Sequence, residues 1–193
     1  MQYSIVMKKQ LNDEFRLDAE YFQPIYLHQD KYVNLMTLKQ LGQIAYITDG
    51  QHGYHEVDDS SNILHLTAKN AKTWFANKNN AVRIAKWVDD KNKRSSLCEG
   101  DIILSTRGSV GYCAMITKDV LPANIDQDVA RIAITDRTYI NSSLLVAFIN
   151  SSYGQHWIKR NLSGMVQQGL PLSKVRRILI PKFGEKYKNI IQS

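Results

Sequence analysis

Residues 100–117 constrain the fold more than any other segment of the chain. Ile102, Ile103 and Leu104 follow one another in residues 100–106, and this short apolar run predicts a buried strand. The next five residues, 107–111, include two glycines and favour a tight turn, after which residues 112–117 predict a returning strand. Two strands joined by so short a turn pair antiparallel. The chain is therefore expected to contain an antiparallel sheet with a buried strand.

Apolar patterns predict further strands and helices around this hairpin. The other predicted strands are residues 43–48, 63–67, 128–134 and 175–180. The predicted helices are residues 17–32, 36–41, 142–158 and, at the end of the chain, 184–193. Pro24 either kinks the first helix or marks the start of a second one, and a break is expected near Gly154. We therefore expect an α+β fold, a mainly antiparallel, twisted sheet with flanking helices.

The composition is that of one ordinary globular domain. The chain has 193 residues, of which 44% are hydrophobic, enough to bury a core. Its longest wholly apolar run, residues 144–149, is too short to cross a membrane, and the N-terminus lacks the pattern of a signal peptide. The two cysteines form no metal-binding or disulfide pattern. These features predict a cytoplasmic protein.

The net charge of +7 is concentrated in two blocks. Residues 69–94 carry a net charge of +6 and residues 156–193 a net charge of +7, whereas the two remaining stretches are acidic. Such alternation is expected when one face of a protein meets a polyanion. Two solvated surface segments would give the same pattern, so charge alone does not decide between the two interpretations.

Residues suited to nucleic-acid contact lie in the two basic blocks and in the turns between them. Lysine and arginine bind phosphates, while asparagine and glutamine amides pair with base edges or satisfy loop backbone groups. The glycines beside Arg107 are explained by the turn itself, and we expect Trp74 and Phe75 to be buried in the core. The candidate contacts are Lys69, Asn70, Lys72, Lys91, Lys93, Arg94, Arg107, Ser109, Gln167, Gln168, Lys174 and Arg176.

Motifs for catalysis or metal binding are weak in this sequence. His52 and His55, with Asp49 and Asp58 nearby, could hold a metal, but they lie in a glycine-containing loop that is better explained by local hydrogen bonds. No glutamate is followed two positions later by a lysine, and the four isolated prolines exclude the Pro-Pro motif of a DNA base methyltransferase. Nucleotide-binding glycine motifs are also missing. We therefore predict a binding protein, with no catalytic residue and no metal ligand assigned.

Several separated segments, in order, are similar to one family. The sequence resembles the target recognition domain of type I restriction-modification specificity subunits and of related restriction enzymes, and the resemblance covers nearly the whole chain. The matching segments are residues 15–22, 47–52, 99–111, 145–154, 163–170 and 178–181.

The resemblance implies a protein that recognises one half of a split double-stranded DNA target and performs no chemistry. S-adenosylmethionine and ATP would be bound only by partner methyltransferase and restriction-translocase subunits, so no cofactor is expected here. Residues 1–181 would form one target recognition domain and residues 182–193 the beginning of a spacer helix. Because the family's subunits contain two such domains, a second copy or a second recognition domain is also expected.

Three alternatives remain at this stage. The chain could be the specificity domain of a fused restriction-methylation enzyme. It could instead be a nuclease or methyltransferase with an unfamiliar site that includes Asp49, His52 and His55. Finally, it could be a protein-interaction module whose basic residues Lys174, Arg176 and Arg177 dock on a subunit.

Overall fold

The computed structural model describes residues 5–8, 11, 18–33, 35–53, 55–163 and 168–184. The helices are α1 (Pro24–Val33), α2 (Leu41–Ile44), α3 (Lys86–Lys91), α4 (Ser142–Asn150), α5 (Ser152–Arg160) and α6 (Leu172–Arg176). The strands are β1 (Leu38–Gln40), β2 (Ala45–Asp49), β3 (Ile63–Leu66), β4 (Val82–Ile84), β5 (Ile102–Ser105), β6 (Cys113–Met115), β7 (Ala123–Ile125), β8 (Val129–Ile134) and β9 (Leu179–Pro181). Short 3₁₀ turns occupy Ala68–Ala71, Lys93–Ser95 and Lys118–Val120.

The strands form three sheets, and the predicted α+β fold is confirmed. The central sheet is fully antiparallel in the order β2-β8-β5-β6, and β5 and β6 are the hairpin expected from the sequence. A second sheet has the order β4-β3-β7, in which β3 pairs parallel with β7. The third is the antiparallel pair β1-β9.

The central sheet is covered on both faces, which explains the apolar run in β5. Ile102 and Leu104 pack with α4, α5 and α6 in the larger core, whereas Ile103 packs with β3, β7 and Val129 in a second core. Successive residues of a strand point to opposite faces of its sheet. A strand between two cores therefore favours consecutive apolar residues, as Ile102, Ile103 and Leu104 are, and its last residue, Ser105, is buried as well.

Of the two alternatives for Pro24, the start of a helix is confirmed. The helix predicted before Pro24 and the exact position of the break in the long helix need correction. Residues 18–23 form turns, and α1 begins at Pro24, whose missing N–H costs nothing at a helix start. The break between α4 and α5 falls at Ser151, whose hydroxyl accepts a hydrogen bond from the Gly154 backbone N–H and so caps α5. Gly154 itself lies inside α5.

Two further predictions were wrong because distant parts of the chain pair with each other. Residues 36–41 were expected to be helical, but Leu38–Gln40 is strand β1. Residues 175–180 were expected to be a strand, but α6 ends at Arg176 and the strand covers only Leu179–Pro181. Neither three-residue strand has a clear pattern of its own, since each is fixed by pairing with the other.

The predicted C-terminal helix lies almost entirely outside the described residues. Residues 182–184 are not helical, and residues 185–193 are not described. Among the described residues, no helix is long and apolar enough to cross a lipid bilayer.

Candidate nucleic-acid interface

Two of the predicted contact loops lie side by side. The loop of residues 163–169 is closed at its base by two hydrogen bonds, from Ser163 N to Gly169 O (2.9 Å) and from Gly169 N to Ser163 O (2.8 Å). The Leu170 backbone N–H then donates to Thr106 O (2.8 Å), and Gly169 forms a bridge with Arg107. The base of this loop therefore adjoins the β5–β6 hairpin.

A groove of about 300 Å³ lies at this junction. Its walls come from the end of β2, the hairpin, the turn before β8 and the segment that leads into α6. The lining residues are Asp49, Thr106, Arg107, Gln127, Ser163, Gly169, Leu170, Pro171 and Leu172. The groove thus combines charged and amide side chains with a short apolar wall.

Arg107 is held at the groove wall with half of its side chain exposed. Its Nη1 atom lies 3.4 Å from Asp128 Oδ1, a long ion pair, and the Arg107 backbone N–H donates to Asp128 O (3.3 Å). An ion pair of this length and exposure adds little stability. The guanidinium is therefore oriented by Asp128 yet keeps donors available for a ligand.

Arg94 is connected to the same groove by its ion pair with Asp49, one of the lining residues. Arg94 Nη1 lies 2.9 Å from Asp49 Oδ1 and donates to Thr48 Oγ1 (2.8 Å), while His52 Nε2 lies 2.8 Å from Asp49 Oδ2. Burial alone would raise the pKa of Asp49, but the His52 hydrogen bond and the Arg94 charge outweigh it and lower that pKa. Asp49 is therefore ionised at neutral pH and fixes Arg94 beside the groove.

The other candidates, on α3, on the 3₁₀ turn that follows it and on α6, have different surroundings. Lys93 pairs with two carboxylates, those of Asp89 (2.6 Å) and Asp90 (3.2 Å), whereas Lys91 is exposed and forms no ion pair with the described residues. On α6, Arg176 Nη2 donates to Ile47 O (2.8 Å) and so ties this helix to β2. Lys174 lies on the same helix and is half-buried.

The candidates of the first basic block divide into exposed and buried ones. Lys69 and Lys72 are exposed, with the Lys72 ammonium 5.9 Å from the centre of the Tyr112 ring. Asn70 is buried: its Oδ1 accepts from Thr67 N (2.8 Å), and its Nδ2 donates to Asn77 O (2.9 Å) and Asn79 O (3.1 Å). Asn70 therefore holds its loop together and cannot present its amide to DNA, which corrects the prediction for this residue.

The remaining predicted contacts lie on the hairpin tip and on the neighbouring loop. Ser109 is exposed between Gly108 and Gly111, whose φ angles of 68° and 98° confirm that the turn needs its glycines. Gln168 is exposed beside Gly169, and Gln167 lies outside the described residues. Sequence reasoning missed Gln127, whose only signal was its place in the turn before β8.

The residues considered as an alternative metal site do not converge on one point, although His52 contacts Asp49. The Asp49 carboxylate forms an ion pair with Arg94 and a hydrogen bond with His52, while Asp58 accepts hydrogen bonds from Ser60. The His55 ring packs on that of His65, 4.0 Å away. Among the described residues, no three His, Cys, Asp or Glu side chains are arranged to hold a metal ion.

Because His65 is buried, the folding stability of the protein is expected to fall at acid pH. Burial, reinforced by the neighbouring His55, lowers the pKa of His65 from 6.5 to about 4, with weak opposition from the Ile125 backbone. Between pH 6.5 and pH 4 the unfolded chain takes up a proton that the folded chain refuses, so stability present above pH 6.5 falls by up to about 3 kcal/mol. Urea unfolding at pH 7 and pH 4.5 measures this loss.

The variant His65→Leu tests that assignment directly. The His65 nitrogens form no well-made hydrogen bonds to the described residues, so leucine is expected to change stability at pH 7 by no more than about 1 kcal/mol. The loss between pH 7 and pH 4.5 should shrink markedly in the variant. Parallel pH profiles for the two proteins would show that another group causes the acid sensitivity.

Comparison with known proteins finds this fold in solved structures of restriction-modification proteins. No protein-family model matches the sequence, and no curated protein matches it either. Solved structures do match. The type I restriction-modification S subunit from M. genitalium aligns with a TM-score of 0.56 and 13% identity over 80% of this chain. The HsdS subunit from Thermoanaerobacter tengcongensis aligns with a TM-score of 0.55 and 12% identity over 86% of it.

A type IIG restriction endonuclease, BpuSI, has a similar region, with a TM-score of 0.58 and 8% identity over 95% of this chain. The chain spans 36% and 43% of the two S subunits and 29% of the endonuclease. It therefore has a fold found within type I S subunits, as the resemblance predicted, and it spans less than half of the length of each of those proteins.

Proposed function

We propose that the chain recognises double-stranded DNA as one target recognition domain, binding one half of a split site in a type I restriction-modification system. The fold that it shares with S subunits is the observation that carries this proposal. The groove adds support, because it is lined by Arg107, a predicted DNA contact, and by Ser163 and Gly169 at the base of a second loop predicted to contact DNA.

The chemistry of the groove suits DNA recognition. Arginine forks bind phosphates or the guanine edge in pairs of hydrogen bonds, and glutamine amides match the adenine edge. Arg107 and Gln127 line the groove, and Arg94 and Gln168 lie next to lining residues. Asp49 and Asp128 fix the two guanidinium groups, which lowers the entropy lost when DNA binds.

We further propose that the chain is a non-catalytic cytoplasmic subunit. Residues 1–181 would be the recognition domain and residues 182–193 the start of a spacer helix. Methyltransferase and restriction-translocase subunits would assemble on it and bind S-adenosylmethionine and ATP. A second copy of the chain, or another recognition domain, would read the other half of the site.

Selection from a random-sequence duplex library tests the DNA proposal. Binding should enrich one short motif, and affinity should fall steeply as salt rises, because neutralised phosphates release counterions. Absence of any enriched motif would refute sequence-specific recognition. Absence of salt dependence would refute the phosphate contacts.

Arg107→Ala is expected to weaken binding to the enriched motif about tenfold, since a lost arginine contact is worth about 1–3 kcal/mol. Fluorescence anisotropy at several salt concentrations measures the change. If Arg107 contacts a phosphate, the slope of log affinity against log salt should become shallower by about 1. If it contacts a base, discrimination at one position of the motif should be relaxed instead.

Lys31→Ala is the matched control for this experiment, since it removes one positive charge from the exposed face of α1. Its affinity should stay close to that of the wild type. Arg107→Ala binding as tightly as Lys31→Ala would exclude Arg107 from the interface.

Two other functions remain testable. The similarity to BpuSI favours the specificity domain of a fused enzyme, so cleavage or methylation of DNA by this chain without partners would replace our proposal. Docking of the basic α6 region on a protein subunit is tested by charge reversal at Lys174, Arg176 and Arg177. Loss of subunit assembly with unchanged DNA affinity would support docking.

A further inference from the structure

Three aromatic side chains are exposed along one edge of the central sheet. Trp74 and Phe75 are 41% and 49% exposed, contrary to the prediction that both are buried in the core, and Tyr112 is 44% exposed. We call Trp74, Phe75 and Tyr112 the aromatic edge. Exposed aromatic surface of this kind commonly marks a binding site.

The aromatic edge is built onto β6 by the backbone. Met115 N donates to Trp74 O (3.1 Å) and Ala76 N donates to Met115 O (2.8 Å), so residues 74–76 run beside β6. Ala76 is buried in the second core, which anchors the segment. The two aromatic side chains are exposed because their backbone forms the outermost layer of the sheet, with no further strand beside it among the described residues.

The edge adjoins the proposed DNA interface. Tyr112 stands directly before β6, on the far side of the hairpin turn from Arg107. The Tyr112 backbone is fixed by hydrogen bonds with Ser105, and Gly169 and Leu170 pair with the opposite arm of the same turn. A ligand that lies across the hairpin tip can therefore contact both the groove and the aromatic edge.

The surrounding charge favours a polyanion over an acidic or apolar partner. Between Asp59 and Asp89 the chain has no acidic residue and five basic ones. Lys72 lies over the Tyr112 ring, and Lys69 is exposed one turn earlier. Lysines interleaved with exposed aromatic rings are the combination by which proteins hold a phosphate backbone while stacking on bases.

We propose that the aromatic edge stacks on bases that become unstacked where the bound duplex is distorted, with Lys72 on the adjacent phosphate. This proposal rests on the proposed DNA function and extends it. Apolar side chains inserted at a base step open the stack and bend the duplex, and stacking on the exposed base offsets the cost of opening it. The edge would supply affinity without reading sequence.

A bulged duplex provides the test, because the bases at the bulge are already unstacked and the protein does not have to open the duplex there. The full chain is titrated with a 20-bp duplex and with the same duplex carrying a central two-nucleotide bulge. The wild type should bind the bulged duplex about tenfold more tightly. Trp74→Ala, Phe75→Ala and Tyr112→Ala should each reduce that preference, while Trp74→Phe should keep it.

Tyr32→Ala, which removes an exposed aromatic ring from α1, is the control and should retain the wild-type preference. Equal affinity of the wild type for both duplexes, or a preference that survives the alanine variants, would overturn the inference while leaving the proposed function intact. If the wild type bound a (dT)₂₀ single strand as tightly as the bulged duplex, the inference that the stacked bases come from a duplex would be refuted.

Two further outcomes separate the inference from the proposed function. Alanine variants that bind both duplexes like the wild type but fail to assemble with a methyltransferase subunit would make the edge a protein contact, which refutes stacking. A wild-type chain that binds neither duplex would refute both proposals.

Discussion

Gly50→Ala is expected to destabilise the protein by about 4 kcal/mol. A Cβ atom at Gly50 would lie 1.8 Å from Ile125 O and 2.5 Å from Asp126 O, and both are backbone atoms. If the clashing atoms belonged to a side chain, that side chain could rotate away. Because they belong to the backbone, either the end of β2 or the backbone of residues 125–126 has to move. Effects of this size are exceptional and have identifiable steric causes.

The close approach at Gly50 is also what positions the groove. The Gly50 N–H donates to Asp126 O (3.2 Å), and the Gln51 N–H donates to Ile125 O (3.3 Å). These bonds hold Asp49 beside the turn that carries Gln127 and Asp128. Separating the two segments would therefore displace Arg94 as well, since Asp49 is its ion-pair partner.

Urea unfolding of three glycine variants measures the effect and isolates its cause. Gly184→Ala meets no atom within 4 Å and should change stability by less than about 0.5 kcal/mol. Gly108→Ala is also unobstructed but has a φ of 68°, so the strain of that conformation should cost about 1 kcal/mol. If Gly50→Ala were as stable as Gly108→Ala, the backbone at Gly50 and the backbone at residues 125–126 would have to separate at little cost, and the prediction would be wrong.

The sequence predicted those elements whose patterns are strong over several residues. The β5–β6 hairpin, β2, β3 and β8 were each expected within a few residues of their observed limits. Alternating apolar residues mark β2 and β8, and an uninterrupted apolar run marks β5. The turn between β5 and β6 needs its glycines whatever the rest of the chain does. Arg107 was therefore placed correctly at a turn from the sequence alone.

Features that depend on distant contacts could not be predicted in the same way. β1 and β9 are short and lack a pattern, and only their mutual pairing makes them strands. Asn70 resembled a base-reading amide until the structure placed the carbonyls of Asn77 and Asn79 against it. Trp74 and Phe75 resembled core residues because local composition does not reveal that their segment runs along the outside of β6.

Arg131→Met is expected to destabilise the protein by about 3–5 kcal/mol. Arg131 Nε lies 2.8 Å from Asp101 Oδ2, and the side chains of the two residues are only 14% and 9% exposed. Removing the arginine leaves a carboxylate in a poorly hydrated place, where the Cys98 backbone N–H (2.8 Å) is the only donor to it that remains among the described residues. Breaking a buried pair from one side costs more than the pair contributes.

Lys86→Met is the matched control, because it breaks an ion pair of nearly the same length in solvent. Lys86 Nζ lies 2.9 Å from Asp90 Oδ2, but both side chains are well exposed. Its loss should cost less than about 0.5 kcal/mol. Comparison of the two methionine variants by urea unfolding therefore measures the effect of burial on the ion pair.

The double variant Arg131→Met/Asp101→Asn completes a thermodynamic cycle. If the unpaired carboxylate causes the loss, removing its charge should recover a good part of it, so the double variant should be more stable than the sum of the single effects predicts. Arg131 Nη1 also donates to Arg94 O (3.0 Å), and this contact is lost in both backgrounds. Additive effects in the cycle would therefore assign the destabilisation to the anchoring of the Arg94 segment, and DNA affinity should then fall equally in Arg131→Met and in the double variant.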